Sequence, residues 1–168
     1  DRVCGALLEA CGAGCVAVVP PSVRVPDGVA RTLEDPPGGG PLAGIDAGLR
    51  ALGVGDDVLV VVVSVDAPGV AAFLPALLEP ALREGVEGRI VRGGDPEPFD
   101  QYLMGVYRAA SLRRAIDEAV AAYGSVRGVG VRRVLRALDV ERVSVSADAC
   151  RDIDTPEDVA WWETFLSN

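Results

Sequence analysis

From residue 3 onward the chain alternates short apolar runs with amphipathic stretches, and the period of each decides what it becomes. Val3 to Cys11 spaces apolar groups at roughly helical intervals, and Gly12 with Gly14 stops that helix. Cys15 to Val19 reads as a short buried strand, which the Pro-rich stretch Pro20 to Pro26 ends. Arg31 to Glu34 is a second short strand, and Asp35 to Gly40 (DPPGGG) is a loop. A helix resumes at Leu42 and runs to about Leu52, with Leu42, Ile45, Leu49 and Leu52 on one face.

After a break at Gly53 to Asp57, VLVVVVSV from Val58 to Val65 is too short and too β-branched for a helix, and its apolar groups face both ways. It is expected to be a central parallel strand covered on both faces. Beyond Asp66-Ala67-Pro68 the pattern predicts a helix from about Val70 to Arg83, a strand near Arg89 to Arg92, a strand from about Tyr102 to Tyr107 and a helix from about Ser111 to Tyr123. A basic helix from about Val131 to Leu138, a strand Val143 to Val145 and a last helix opened by Thr155-Pro156-Glu157-Asp158 complete it. Alternating strands and helices imply an α/β sandwich. No repeat or long linker divides the 168 residues, so a single domain is expected.

Composition narrows the function. The net charge of −9 offers no broad cationic surface to DNA or RNA, which leaves a nucleotide as the expected partner. The longest apolar run is far short of the roughly 20 residues that cross a bilayer, so no membrane association and a cytoplasmic location are expected. Cys4, Cys11, Cys15 and Cys150 form no C-x-x-C pair and the chain has no histidine, which predicts free thiols rather than a metal site. All 16 basic residues are arginine, so no lysine of this chain can serve a mechanism.

Three groups of residues can carry chemistry. Asp66 ends the most apolar strand, and the crevice beyond the carboxyl ends of strands in an open α/β sheet is where ligands bind. A carboxylate there can hold Mg²⁺ against substrate phosphates, although a turn or cap residue has the same appearance. Glu34-Asp35, the glycine loop and Gly40-Pro41-Leu42-Ala43-Gly44 lead into a helix N-terminus, where backbone N–H groups are open to a ligand. Gly38-Gly39-Gly40 alone is equally consistent with a plain loop. Arg127, Arg132, Arg133 and Arg136 flank Gly128-Val129-Gly130, as a phosphate grip or as a solvated helix face.

In this order the pieces resemble the molybdenum-cofactor guanylyltransferase family. The residues that carry the resemblance are Glu34-Asp35, Gly40 to Gly44 with Gly48-Leu49, Asp66-Ala67-Pro68, Gly105-Val106-Tyr107-Arg108, and Asp152-Ile153-Asp154-Thr155-Pro156-Glu157-Asp158. The resemblance implies a three-layer α/β sandwich with a mostly parallel central sheet, Rossmann-like and of the nucleotide-diphospho-sugar transferase type. It implies transfer of GMP from GTP to molybdopterin or molybdenum cofactor, with Mg²⁺ as cofactor and molybdoenzyme maturation proteins as further partners. On the same ground Asp66 holds the ion and is catalytic. Asp35, Gly40, Pro41 and Leu42 line the nucleotide pocket, and Gln101, Arg132, Arg133, Asp152 and Asp154 border the pterin side. Gln101-Tyr102 departs from the family's Gln-Pro or His-Pro.

The family also opens with a strand, a glycine-rich L-A-G-G-x-S-x-R-M-G loop and an Asp-Lys pair, none of which stands here. Asp1-Arg2-Val3 matches the helix that follows that loop, so roughly 30 to 45 residues are expected to precede Asp1 in the natural protein. Residues 1–168 alone are accordingly expected to be inactive. Other classes remain: a nucleotidyltransferase using CTP or a sugar phosphate, or a non-catalytic relative that binds a nucleotide or a molybdoenzyme partner.

Overall fold

The run VLVVVV divides its side chains by parity. Val60 and Val62 pack into one apolar core, and Val61 and Val63 into a second, as a strand of period two covered on both faces must. A computed structural model of the chain describes residues 2–12 and 14–165; Asp1 lies outside them. Its elements are α1 (Arg2–Cys11), β1 (Cys15–Val18), β2 (Val29–Thr32), α2 (Pro41–Leu52), β3 (Leu59–Val63), α3 (Val70–Leu78) and β4 (Gly88–Gly93). They continue with β5 (Phe99–Arg108), α4 (Ala109–Tyr123), α5 (Val131–Leu135), β6 (Val140–Ser144), a 3₁₀ turn at Asp148–Cys150 and α6 (Pro156–Phe165).

Four strands pair in the order β3-β5-β4-β6, and β1 and β2 form a separate parallel pair. β5 runs antiparallel to both of its neighbours, whereas β4 and β6 are parallel, so three of the four strands share one direction. Leu42, Leu49, Leu112, Ile116 and Leu135 from α2, α4 and α5 fill the core on one face of the sheet. Val3, Phe73, Leu74, Leu77 and Cys150 from α1, α3 and the 3₁₀ turn fill the other. The architecture is the three-layer α/β sandwich with a mostly parallel sheet.

The structure corrects the reading of Val58–Val65 as a central parallel strand. β3 stands at one end of the four-stranded order, and its hydrogen-bonded neighbour β5 is antiparallel. An apolar run reports that both faces are covered and carries no information on which strand lies alongside. Beside the free edge of β3 lies a slot of about 300 Å³ that reaches β1. Consecutive residues of both strands, Cys15–Val18 and Val60–Val63, line it, so strand edges bound it rather than strand faces.

Several boundaries move for local reasons. α3 stops at Leu78 instead of Arg83 because Glu79 turns extended ahead of Pro80. β2 begins at Val29, the buried residue of that strand, and ends before Glu34. β5 starts at Phe99, three residues before the apolar pattern, and a register shift opposite Ile90/Val91 interrupts it. The hydroxyl of the buried Tyr107 donates to the Tyr102 carbonyl (2.7 Å) at that irregularity, and burial pushes its ionisation up. β6 begins at Val140, and α5 ends at Leu135. Among the described residues no helix is long and apolar enough to cross a membrane, and the four cysteines are free thiols.

The opening of α6 follows the pattern of its sequence. Asp158 accepts from the Thr155 hydroxyl (2.7 Å) and backbone N–H (2.9 Å), while the Asp158 N–H donates back to Thr155 Oγ1 (3.3 Å). This is a reciprocal cap of the S/T-x-x-E type with an aspartate in the acidic place. The Thr155 bonds and the Arg151 guanidinium hold Asp158 down to about 2. A lowered folded-state pKa adds stability above the ordinary value and loses it as the pH falls towards the lowered one. Because both tryptophans, Trp161 and Trp162, lie on α6, acid titration of tryptophan fluorescence should show a step between about pH 4 and 2. Asp158→Asn should remove that step; its persistence in the variant would refute the cap.

Candidate active site

β3 delivers Asp66 to the end of the sheet. After Ser64, Ala67 N–H donates to Ser64 O (3.3 Å) and Val70 N–H to Ala67 O (3.2 Å), turning the chain into α3. Asp66 is half-buried, and its Oδ1 is fully shielded with no hydrogen-bond partner among the described residues. A carboxylate oxygen in that condition is costly unless a cation or donor completes it.

The segment after the 3₁₀ turn comes to the same place. Ile153 N–H donates to the Asp66 carbonyl (3.0 Å). Burial first, and then the Asp66, Asp154 and Asp158 carboxylates, raise Asp152 above the ordinary aspartate value, although its own surface is open to solvent. Burial, reinforced by the Asp152 charge, pushes the Cys150 thiol beneath it to about 11. Asp66, Asp152 and Asp154 therefore form an acidic group at one end of the sheet. Among the described residues no cluster of three or more side chains has the arrangement of a complete metal site.

The glycine loop has a separate reason for each glycine. Gly38 and Gly40 sit at φ 76° and 86°, a region that side chains strain to reach. At Gly39 the obstacle is space, since a Cβ would stand 2.6 Å from Ala43 Cβ and 3.0 Å from an Arg127 nitrogen. The loop ends at the N-terminus of α2, which no side chain caps and where Pro41 takes the first position. Leu42 is fully buried in the core, so only its backbone can reach a nucleotide. Gly44 and Gly48 face Val18 of β1, with a Cβ at Gly48 only 3.1 Å from it; these motif glycines set helix-to-strand packing.

Asp35 is exposed on the rim of an open cleft of about 610 Å³, shared with Asp46, Arg50, Ser125 and Arg127. Gln101 lies half-buried in β5, paired in register with Val91 beside the irregularity. Arg132 and Arg133 are exposed on α5, in the helical layer opposite the one that holds Cys150 and α3. The Arg133 guanidinium lies over the Tyr123 ring at 5.8 Å. Asp66, Asp152 and Asp154 are thus brought together, and the two α5 arginines stand apart from them.

Two residues acquire roles that their sequence neighbourhoods do not announce. Glu34 accepts the N–H groups of Gly38 (3.0 Å) and Gly39 (3.1 Å), and backbone N–H groups, its own first, keep it below the usual carboxylate range. The Arg127 guanidinium donates to the carbonyls of Pro36 and Pro37. For Glu34 the available signal is its place just ahead of the three glycines; for Arg127 there is none, because its partners are distant in the chain.

A family model described as the MobA-like NTP transferase domain matches residues 1–145. Among solved structures, the chain is similar to 2-C-methyl-D-erythritol 4-phosphate cytidylyltransferase from Thermus thermophilus, with a TM-score of 0.72 and 19% identity over 100% of this chain and 88% of that one. It is also similar to molybdopterin-guanine dinucleotide biosynthesis protein A from Archaeoglobus fulgidus, with a TM-score of 0.54 and 21% identity over 82% of this chain and 68% of that one. No curated protein matches. Identities this low speak to the fold, and the family match covers most of the sequence: the chain belongs to the MobA-like NTP transferase domain family and is a nucleotidyltransferase domain.

Proposed function

We propose that the domain transfers GMP from GTP to molybdopterin or molybdenum cofactor, giving the guanine dinucleotide form and pyrophosphate. The observation that carries this reading is the unpartnered, shielded Oδ1 of Asp66 at the end of β3. A hard oxygen lacking a donor fits Mg²⁺, which takes one or two carboxylates and completes its shell with water and phosphate oxygens. Asp66 would hold the ion with Asp152 beside it, and the ion would supply charge neutralisation and alignment of the triphosphate.

The chain's own residues then do the positioning. Backbone N–H groups at the start of α2 favour an anionic or carbonyl oxygen at the positive end of the helix dipole. Asp35 and the ordered turn at Gly40 and Pro41 bound the base. Asp152 and Asp154 stand at the side from which the pterin phosphate would approach, with Gln101 on the neighbouring strand. In-line attack of that phosphate on the α-phosphorus needs such placement more than a covalent nucleophile. Interaction with molybdoenzyme maturation proteins belongs to the same reading, as does a cytoplasmic location.

The slot between β1 and β3 supports the view that a further strand of the full-length protein completes the sheet there, with the triphosphate loop following it. Residues 1–168 alone would then be inactive.

Cytidylyl transfer is the second reading, favoured by the higher structural similarity to the cytidylyltransferase. Product analysis of the full-length enzyme with each nucleotide separates the two. A preference for GTP over CTP of at least about tenfold, on the order of 1.4 kcal/mol in transition-state binding, is expected. Equal use of both, or preference for CTP, contradicts guanylyl transfer.

A further inference from the structure

The loop that carries Gly38, Gly39 and Gly40 is the part of the chain with the most backbone freedom to lose. It is nonetheless tied from two sides. On the β2 side the Glu34 carboxylate takes the Gly38 and Gly39 N–H groups. On the other side the segment between α4 and α5 meets it with three bonds. Gly128 N–H donates to the Gly39 carbonyl (2.8 Å), and the Arg127 guanidinium spans the Pro36 and Pro37 carbonyls.

That second segment is itself anchored. Val126 is buried in the core with α4 and α5, Arg127 N–H donates to Ser125 Oγ (3.0 Å), and Gly124 ends α4 in the left-handed region. Gly39 leaves no room for a side chain between Ala43 and Arg127, so the guanidinium packs directly on the loop backbone. With its donors turned to loop carbonyls, Arg127 is poorly disposed to grip a phosphate of the pterin.

We propose that Arg127 is a positioning residue which, together with Glu34, sets the loop ahead of α2 in the conformation that receives the nucleotide. The proposal rests on the nucleotidyl-transfer reading above. Its effect is preorganisation: the ordering cost of three glycines is met on folding and not on binding. Removing the brace therefore weakens nucleotide binding more than it slows the chemical step.

The test uses the full-length protein with Arg127→Ala and Arg127→Lys, read by amide hydrogen exchange and by steady-state kinetics with GTP. In Arg127→Ala, exchange at the Gly38 to Gly40 amides should rise at least about tenfold with the α4 amides unchanged. The KM for GTP should rise by about threefold to tenfold, with kcat within about twofold. Arg127→Lys, which can meet one carbonyl, should recover part of both. Unchanged loop exchange and KM in Arg127→Ala, in a protein that does use GTP, overturns the brace and leaves the function standing. A wild-type protein that turns over neither GTP nor CTP, while loop exchange still responds to Arg127→Ala, overturns the function and leaves the brace.

Discussion

Replacing Asp66 with alanine in the full-length protein is expected to abolish nucleotidyl transfer while leaving the fold intact. The two halves of that expectation come from the same atom. Oδ1 of Asp66 is shielded from water and has no donor among the described residues, so the folded apo chain gains nothing from it. Deleting a buried group that lacks a partner is close to neutral for stability, and the melting temperature should hold or rise slightly. In the proposed reaction the same carboxylate is the hard oxygen offered to a metal–triphosphate complex, and losing one such charge-stabilising contact costs at least about a hundredfold in kcat. Turnover as a function of Mg²⁺ concentration, beside a thermal melt, reads both. Full activity with an ordinary Mg²⁺ response would sink the assignment.

A subsidiary signature distinguishes an electrostatic role from a merely local disturbance. Asp152 is raised by burial first and by the Asp66 charge next, so removing that charge should bring Asp152 back towards the ordinary aspartate value. Its titration, followed by carboxyl NMR, should shift downward in Asp66→Ala. An Asp152 that titrates identically in both proteins would show that the two carboxylates are not neighbours in solution.

Much of this site was legible in the sequence because local chemistry wrote it there. The strand end at Asp66, the glycines leading into α2 and the Thr155 to Asp158 cap are each determined by residues within one or two turns of each other. The parity of Val60 to Val63 gave the two covered faces for the same reason. Strand direction was not legible: β5 lies antiparallel beside β3, and nothing within an apolar run encodes its neighbour. The apolar pattern starts β5 only at Tyr102 because Asp100 and Gln101 are polar, although Phe99, Asp100 and Gln101 pair with β4.

Long-range juxtapositions were the other blind spot. Asp152 approaches Asp66 only because Ala149 packs under α3, and Arg127 meets Pro36 and Pro37 only because the α4–α5 segment folds over the glycine loop. Neither leaves a local trace. The motif glycines also divide in a way the sequence does not show. Gly38 and Gly40 are required by backbone angle, Gly39 by the closeness of Ala43 and of the Arg127 side chain, and Gly44 and Gly48 face β1.

Gly69→Ala is expected to destabilise the protein and to damage the site together. Gly69 precedes α3 at φ −74°, an angle that alanine adopts freely, so backbone strain contributes nothing. The cost is contact: a Cβ there would stand 2.3 Å from the Ala149 carbonyl oxygen and 2.9 Å from the Trp162 ring. Backbone on one side and a buried indole on the other leave little room to yield, and overpacking of this kind costs about 1–3 kcal/mol. For a chain of this size that is a fall in melting temperature of about 3–10 °C. The atom that must move belongs to the 3₁₀ turn leading to Asp152, and Ile153 is tied to the Asp66 carbonyl, so activity should fall as well. Gly5→Ala supplies the contrast, because Gly5 is in the middle of α1 with no atom of the described residues within 4 Å of a new Cβ. There the same substitution should stabilise by about 0.5–1 kcal/mol through helix propensity. Thermal melts of the two variants should move in opposite directions, and a Gly69→Ala protein as stable as the wild type would mean that the 3₁₀ turn is not packed on α3 as described.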